Sequence, residues 1–96
     1  MNDTGILYLI STPIGNLADM TLRGINTLRN VDYVYCEDTR VSRILLNHYQ
    51  IEKKLISYHD FNATKIRPLI IRKLLDGFSC ALISDAGTPL IADPGY

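Results

Sequence analysis

Apolar residues fall into short runs separated by segments in which they recur at helical spacing. Residues 6–11 (ILYLIS), 33–36 (YVYC), 55–58 (LISY) and 80–83 (CALI) have the length and β-branched or aromatic content of strands. Their near-continuous apolar character is that of strands covered on both faces. The intervening segments predict helices over 21–29, 41–49 and 68–76. Leu22, Ile25 and Leu28 form the apolar stripe of the first, with Asp19 or Thr21 as its N-cap. Ile44, Leu45 and His48 share a face of the second, and Leu69, Ile70, Leu74 and Leu75 point inward from the third. Pro68 is placed in the first turn of that third helix, where its missing N–H is tolerated, and Asp76-Gly77 closes it.

Strand, loop and helix thus alternate through the chain. That order predicts an α/β fold, a doubly wound, mostly parallel sheet with helices on both faces. All the βα connections then leave one end of the sheet, and they carry nearly every unusual polar residue. The chain stops at Tyr96 within a loop-like stretch. The expectation is one domain over 1–96, truncated before its last strand, the N-terminal part of a longer two-domain enzyme. An open sheet edge favours pairing with a second copy, hence a homodimer.

Ninety-six residues, 47% hydrophobic and 21% charged, are enough for one modest core. Ten Lys and Arg balance ten Asp and Glu, so no net field draws the chain to nucleic acid or membrane, although a local basic patch is compatible with that balance. The N-terminus MNDTG lacks the basic region of a signal peptide, and no apolar run is long enough to span a bilayer. Cys36 and Cys80 lie in strand-like runs and read as buried free thiols, without the spacing of a metal site. These features favour a reducing cytoplasm, with no membrane and no metal.

The stretch 80–96 (CALISDAGTPLIADPGY) turns from strand to loop, with Gly87, Pro89, Pro94 and Gly95 close together and Asp85 and Asp93 among them. A loop at the carboxyl end of a parallel strand is where open α/β sheets bind ligands, although an ordinary strand-to-helix connection has a similar composition. The first loop, Ser11 to Asn16, is neither a dinucleotide fingerprint nor a phosphate loop: no G-x-G-x-x-G or Gly-Lys-Ser/Thr is present. Elsewhere at strand ends stand Glu37, Asp38, Arg40, His59 and Asn62. Asp38 is equally a helix N-cap, Arg40 and Arg43 read more readily as solvated surface cations than as phosphate contacts, and His59 has the alternative of a hydrogen-bonded strand-end residue. Tyr8, Tyr33 and Tyr35 read as packing residues rather than a base-stacking platform.

Taken together, STPIGNLADMTLRGINTL, VDYVYCEDTRVSRILLNHY, LISYHDFN and ALISDAGTPLIADPGY resemble the N-terminal domain of the tetrapyrrole (corrin/porphyrin) methylase superfamily, in its ribosomal-RNA-modifying branch. The motifs EDTR (37–40) and SDAGTP (84–89) carry that branch. The resemblance implies a two-domain S-adenosylmethionine-dependent methyltransferase that 2′-O-methylates a cytidine of small-subunit ribosomal RNA. It implies cofactor contacts from Pro13, Ile14 and Gly15 and from Gly87, Thr88, Pro89 and Ile91; the positive charge of a sulfonium would in turn be met by Asp85 and the carbonyls of the 84–91 loop. Thr88 and Asn16 stand where tetrapyrrole-modifying members have Asp, which disfavours a tetrapyrrole C-methyltransferase. A non-catalytic domain of the same fold and, more distantly, a metal-dependent phosphotransferase using Asp85 and Asp93 are the other readings. For a 2′-hydroxyl nucleophile, Glu37, Asp38 and His59 are the available bases, with Glu37 first. Asp38, Arg40 and Asn62 would meet the substrate. With the second domain contributing much of the cofactor pocket, residues 1–96 alone are expected to bind the cofactor weakly and to be inactive.

Overall fold

A computed structural model describes residues 3–12 and 19–85, Asp85 through its backbone alone. The elements run β1 (Leu7–Thr12), α1 (Leu22–Asn30), β2 (Tyr33–Cys36), α2 (Thr39–His48), β3 (Leu55–Ser57), α3 (Ala63–Leu75) and β4 (Cys80–Asp85). The strands form one sheet in the order β1-β4-β2-β3, with every neighbouring pair parallel. Two of the three crossovers therefore step over a strand that the chain forms last or has already formed.

Strand alternation sends side chains to two cores. Ile10, Val34, Cys36, Ala81 and Ile83 meet α1 and α2 through Leu28, Leu45 and Leu46. On the other face Tyr35, Cys80 and Leu82 meet α3 through Ile70, with Ile66 and Leu74 packed beside it. Helices thus lie on both faces, as expected for a doubly wound sheet. Cys36 and Cys80 are free and buried, as their apolar runs predict. Burial pushes both thiols up from their usual range, and it pushes the Tyr35 phenol up to about 12.

Several elements depart from expectation. α3 begins at Ala63, five residues before Pro68, so that proline sits inside the helix rather than in its first turn. The start is displaced because the β3–α3 turn closes early: the backbone N–H groups of Lys65 and Ile66 both donate to the Asn62 carbonyl, at 3.0 and 2.9 Å. Leu69 and Leu75 are exposed rather than inward. In α2 the buried positions are Ser42, Leu45 and Leu46, while Ile44 and His48 face out. In α1, capped by Thr21, Gly24 and Leu28 are buried and Leu22 is exposed. β1 is an edge of the described sheet, and Leu7 and Leu9 are uncovered by any described helix, so in place of the two-sided burial predicted for it only one face is buried, at Ile10 and Thr12.

The helix ends are set by backbone chemistry. After α3, Gly77 adopts φ 95°, its N–H donates to Leu74 O and that of Phe78 to Lys73 O, forming a Schellman cap. After α2 the same pair of bonds forms around Gln50, a non-glycine residue at φ 57°. Gly5 packs so tightly under this α3–β4 turn that a Cβ there would lie 1.7 Å from the Phe78 carbonyl oxygen. Its N–H donates to Leu74 O at 2.7 Å, tying the start of β1 to the end of α3.

Candidate functional site

The parallel sheet presents its strand ends at one rim, in the order Thr12, Asp85, then the Glu37 and His59 loops. Adjacent strands lie about 4.8 Å apart, so the rim is roughly 15 Å wide. β4 runs two residues further than the four predicted, which places Asp85 at the end of a strand rather than in a loop, paired with Thr12. The two ends are also tied by the Thr12 hydroxyl, which donates to Ser84 O at 3.2 Å. In register, Ile83 is level with Cys36, and Cys36 with Ser57. β1 and β4 therefore rise about 7 Å above the last residues of β2 and β3, leaving a step.

Below that step opens a cleft of about 520 Å³ lined by Glu37, Asp38, Thr39, Arg40, Ser57, His59, Asp60 and Phe61. Five of the residues come from the loop after β2 and the first turn of α2, or are the end of β3, and the remaining three from the turn after it. The side chain of Asp38 caps α2, its Oδ1 accepting from Arg40 N at 2.9 Å. The Arg40 guanidinium lies 3.7 Å from the same oxygen, but it is 92% exposed, so the pair adds little stability. Glu37 is exposed, and among the described residues no hydrogen bond or ion pair engages its carboxylate.

The turn after β3 is held by Asn62. Its Oδ1 accepts from His59 N at 2.8 Å and its Nδ2 donates to Ser57 O at 3.0 Å. Both ends of the amide are thus engaged within the turn, and Asn62 is not among the residues lining the cleft. His59 Nδ1 accepts from Phe61 N at 3.1 Å. An imidazole whose Nδ1 accepts carries its proton on Nε2, so Nε2 is the donor.

A second groove of about 520 Å³ runs beside the first, lined by Thr39, Arg40, Arg43 and Leu55. Thr39 and Arg40 line both and form the ridge between them. A smaller cavity of about 180 Å³, bounded by Tyr8, Asn26, Thr27, Asn30, Val31 and Ser79, lies near the opposite rim and holds no carboxylate, imidazole or cation. Among the described residues no group of three His, Cys, Asp or Glu is placed to hold a metal, and no helix is long and apolar enough to cross a membrane.

Of the sequence-predicted site residues, the fold brings Glu37, Asp38, Arg40 and His59 into one cleft and puts Asn62 behind it. Pro13, Ile14, Gly15, Gly87, Thr88, Pro89 and Ile91 lie outside the described residues, as does Asp93. The chain segments that hold them leave from Thr12 and Asp85, which are register partners. Sequence reasoning missed Thr39, Ser57, Asp60 and Phe61 as cleft residues. Phe61 had a signal available: it is a lone apolar side chain in an otherwise polar turn, HDFN.

Comparison with known proteins places this geometry. Residues 6–96 match the model of the tetrapyrrole (corrin/porphyrin) methylases. Relatives named ribosomal RNA small subunit methyltransferase I are similar to this chain throughout. The protein from Mycoplasmopsis pulmonis is 57% identical over 94% of this chain and 40% of its own length. The one from Mesorhizobium japonicum is 59% identical over 94% of this chain and 31% of its own. The one from Mesomycoplasma conjunctivae is 61% identical over 93% and 38%. The chain thus spans between about a third and two fifths of the length of these curated relatives. By its fold, its rim and this match, the chain belongs to the tetrapyrrole (corrin/porphyrin) methylase family.

Proposed function

We propose that the chain is the N-terminal domain of a two-domain, S-adenosylmethionine-dependent methyltransferase that 2′-O-methylates a cytidine of small-subunit ribosomal RNA. The observation that carries this reading is the cleft at the carboxyl rim, in which Glu37 and Asp60 are carboxylates left without a partner among the described residues and Glu37 directly follows β2. The names of the relatives supply the substrate class. Two free, buried cysteines are in keeping with a cytoplasmic enzyme, and the exposed β1 edge with a homodimer.

The described rim fits the cofactor in charge. Glu37, Asp38 and Asp60 surround the cleft against Arg40 alone, an environment that favours a sulfonium cation. The loops implied in cofactor binding depart side by side from Thr12 and Asp85. S-adenosylmethionine, when bound, supplies an electrophilic methyl group. The chain's own residues then have separate tasks. Glu37 accepts the proton of the ribose 2′-hydroxyl. His59 donates from Nε2 to a substrate oxygen, its Nδ1 being already an acceptor. Asp38 holds the first turn of α2 and Asn62 the turn after β3, so that Glu37 and His59 keep their places on the cleft wall. Arg40 and Arg43 line the neighbouring groove and neutralise RNA phosphates there.

The test is mass-spectrometric mapping of 2′-O-methylation in ribosomal RNA from cells lacking the full-length gene. Loss of one 2′-O-methylcytidine from the small-subunit RNA, restored by the gene, is the expected result. An unchanged methylation map, with a porphyrinogen methylated by the purified protein, overturns it in favour of tetrapyrrole chemistry. Residues 1–96 alone bind S-adenosylmethionine weakly in this reading, which calorimetry checks directly.

A further inference from the structure

Phe61 is 96% exposed, and it stands at the cleft that holds Glu37 and His59. Leaving a phenylalanine side chain in water forgoes the stabilisation that its burial would give. Its backbone is nevertheless pinned, because its N–H donates to His59 Nδ1 at 3.1 Å and Asn62 closes the same turn. The imidazole meets it edge-on, with ring centroids 5.9 Å apart and planes inclined at 68°. That contact orients the two rings while leaving the phenyl ring almost wholly exposed. The other walls of the cleft are polar or charged. A segment of protein packing there would have to desolvate Glu37, Asp38 and Asp60 to cover one ring. A flat heterocycle needs no such burial: it offers an apolar face to the phenyl ring and a polar edge that stays wet. Carboxylates are acceptors, so the fitting edge is one with an exocyclic amine, as cytosine has.

We infer that Phe61 is the stacking platform for the nucleobase whose ribose is methylated, with the base turned out of its helix and laid on the phenyl ring. The inference rests on the RNA-methylation reading and names the group that grips the target. The other ring-bearing candidates lie elsewhere: Tyr35 is 3% exposed, Tyr33 packs edge-on against Phe78 beneath the Lys73 ammonium, and Tyr8 lines the small cavity near the opposite rim. Base stacking on an aromatic side chain is sequence-tolerant and typically strengthens binding by one to two orders of magnitude.

The experiment uses the full-length protein and Phe61→Ala and Phe61→Tyr variants. The probe is an RNA stem-loop carrying a fluorescent cytidine analogue at the methylated position. Wild type should quench the analogue, Phe61→Ala should not, and Phe61→Tyr should restore quenching. In turnover, Phe61→Ala should raise KM for RNA about 5- to 150-fold. Its kcat should stay within a few-fold, and its affinity for S-adenosylmethionine and its Tm should be unchanged. An unaltered KM and unaltered quenching with active enzyme overturn the stacking role and leave the methylation reading intact. So does a lowered Tm without a change in quenching, which would show Phe61 buried against another part of the protein. If wild type fails to methylate the RNA yet quenches the probe through Phe61, the methylation reading falls and the stacking site remains.

Discussion

Three ionisable side chains at the strand ends are separated by what each is already bonded to. The Asp38 carboxylate holds the amide of Arg40, and His59 accepts at Nδ1 from Phe61, while Glu37 faces the cleft with its carboxylate unengaged by the described residues. Spacing in the sequence could not rank these groups, since all follow strand ends by one to two residues. Hydrogen-bond partners do, and of the two cleft carboxylates they leave unengaged, Glu37 and Asp60, Glu37 stands nearer its strand end. A general base contributes typically 10²–10⁴-fold, so Glu37→Gln in the full-length enzyme should lower kcat by about 10²-fold or more. Dissociation constants for RNA and S-adenosylmethionine should hold, and single-turnover kinetics with separate binding titrations check this. Asp38→Asn should retain most activity, because asparagine is also a good N-cap. The reverse ranking would assign the proton to Asp38.

At the scale of elements, the helix faces show how small residues disguise a stripe. The buried positions are Gly24, Leu28 and Val31 along α1 and its cap, Ser42, Leu45 and Leu46 on α2, and Ile70 on α3 with Ala63, Ile66 and Leu74 packed beside it. Each follows helical spacing, but reading only large apolar residues rotated the expected face toward Leu22, Ile44 and Leu69. Small side chains sit where a helix lies close to its neighbours: a Cβ on Gly24 would come within 3.2 Å of the Met20 methyl and 3.7 Å of Ile10 Cγ2 on β1. Two substitutions test the local chemistry. Gln50 occupies the left-handed position of the α2 cap, which costs a non-glycine residue roughly 1 kcal/mol. Gln50→Gly should raise stability by about that much in urea melts. Pro68 lies in the interior of α3, exposed to solvent, and removes the bond its N–H would make to Thr64. Pro68→Ala should stabilise by about 1–3 kcal/mol, with helicity by circular dichroism unchanged or slightly higher. A loss of stability would mean that the proline sets a bend on which the α3 packing depends.

For the whole molecule, three acidic groups buried between sheet and helices couple folding to alkaline pH. Burial raises the thiols of Cys36 and Cys80 above 9.0 and the phenol of Tyr35 from 10.0 to about 12. In the unfolded chain these groups ionise first, so above pH 9 the unfolded state binds fewer protons than the folded one. Stability is therefore fully present below about pH 9 and is lost as pH rises toward 12, by on the order of 1 kcal/mol per pH unit for each group titrating. Denaturant midpoints measured at pH 8 and pH 10.5 check the sign; a higher midpoint at pH 10.5 would contradict the burial of all three.

How much of this was legible beforehand depended on the range of the interaction. Strand runs, the alternation that makes the sheet parallel and doubly wound, the Gly77 cap and the buried thiols follow from neighbours a few residues apart, and the sequence by itself determined them. So did the gathering of Glu37, Asp38, Arg40 and His59 at one rim, because parallel strands must all point the same way. Tertiary structure alone decided the strand order, the step between the β4 and β2 ends, the engagement of Asn62 and the exposure of Leu7 and Leu9. Those depend on contacts such as Thr12 with Ser84, 72 residues apart. Pairings at that distance answer to the packing of the whole sheet, and no local period encodes them.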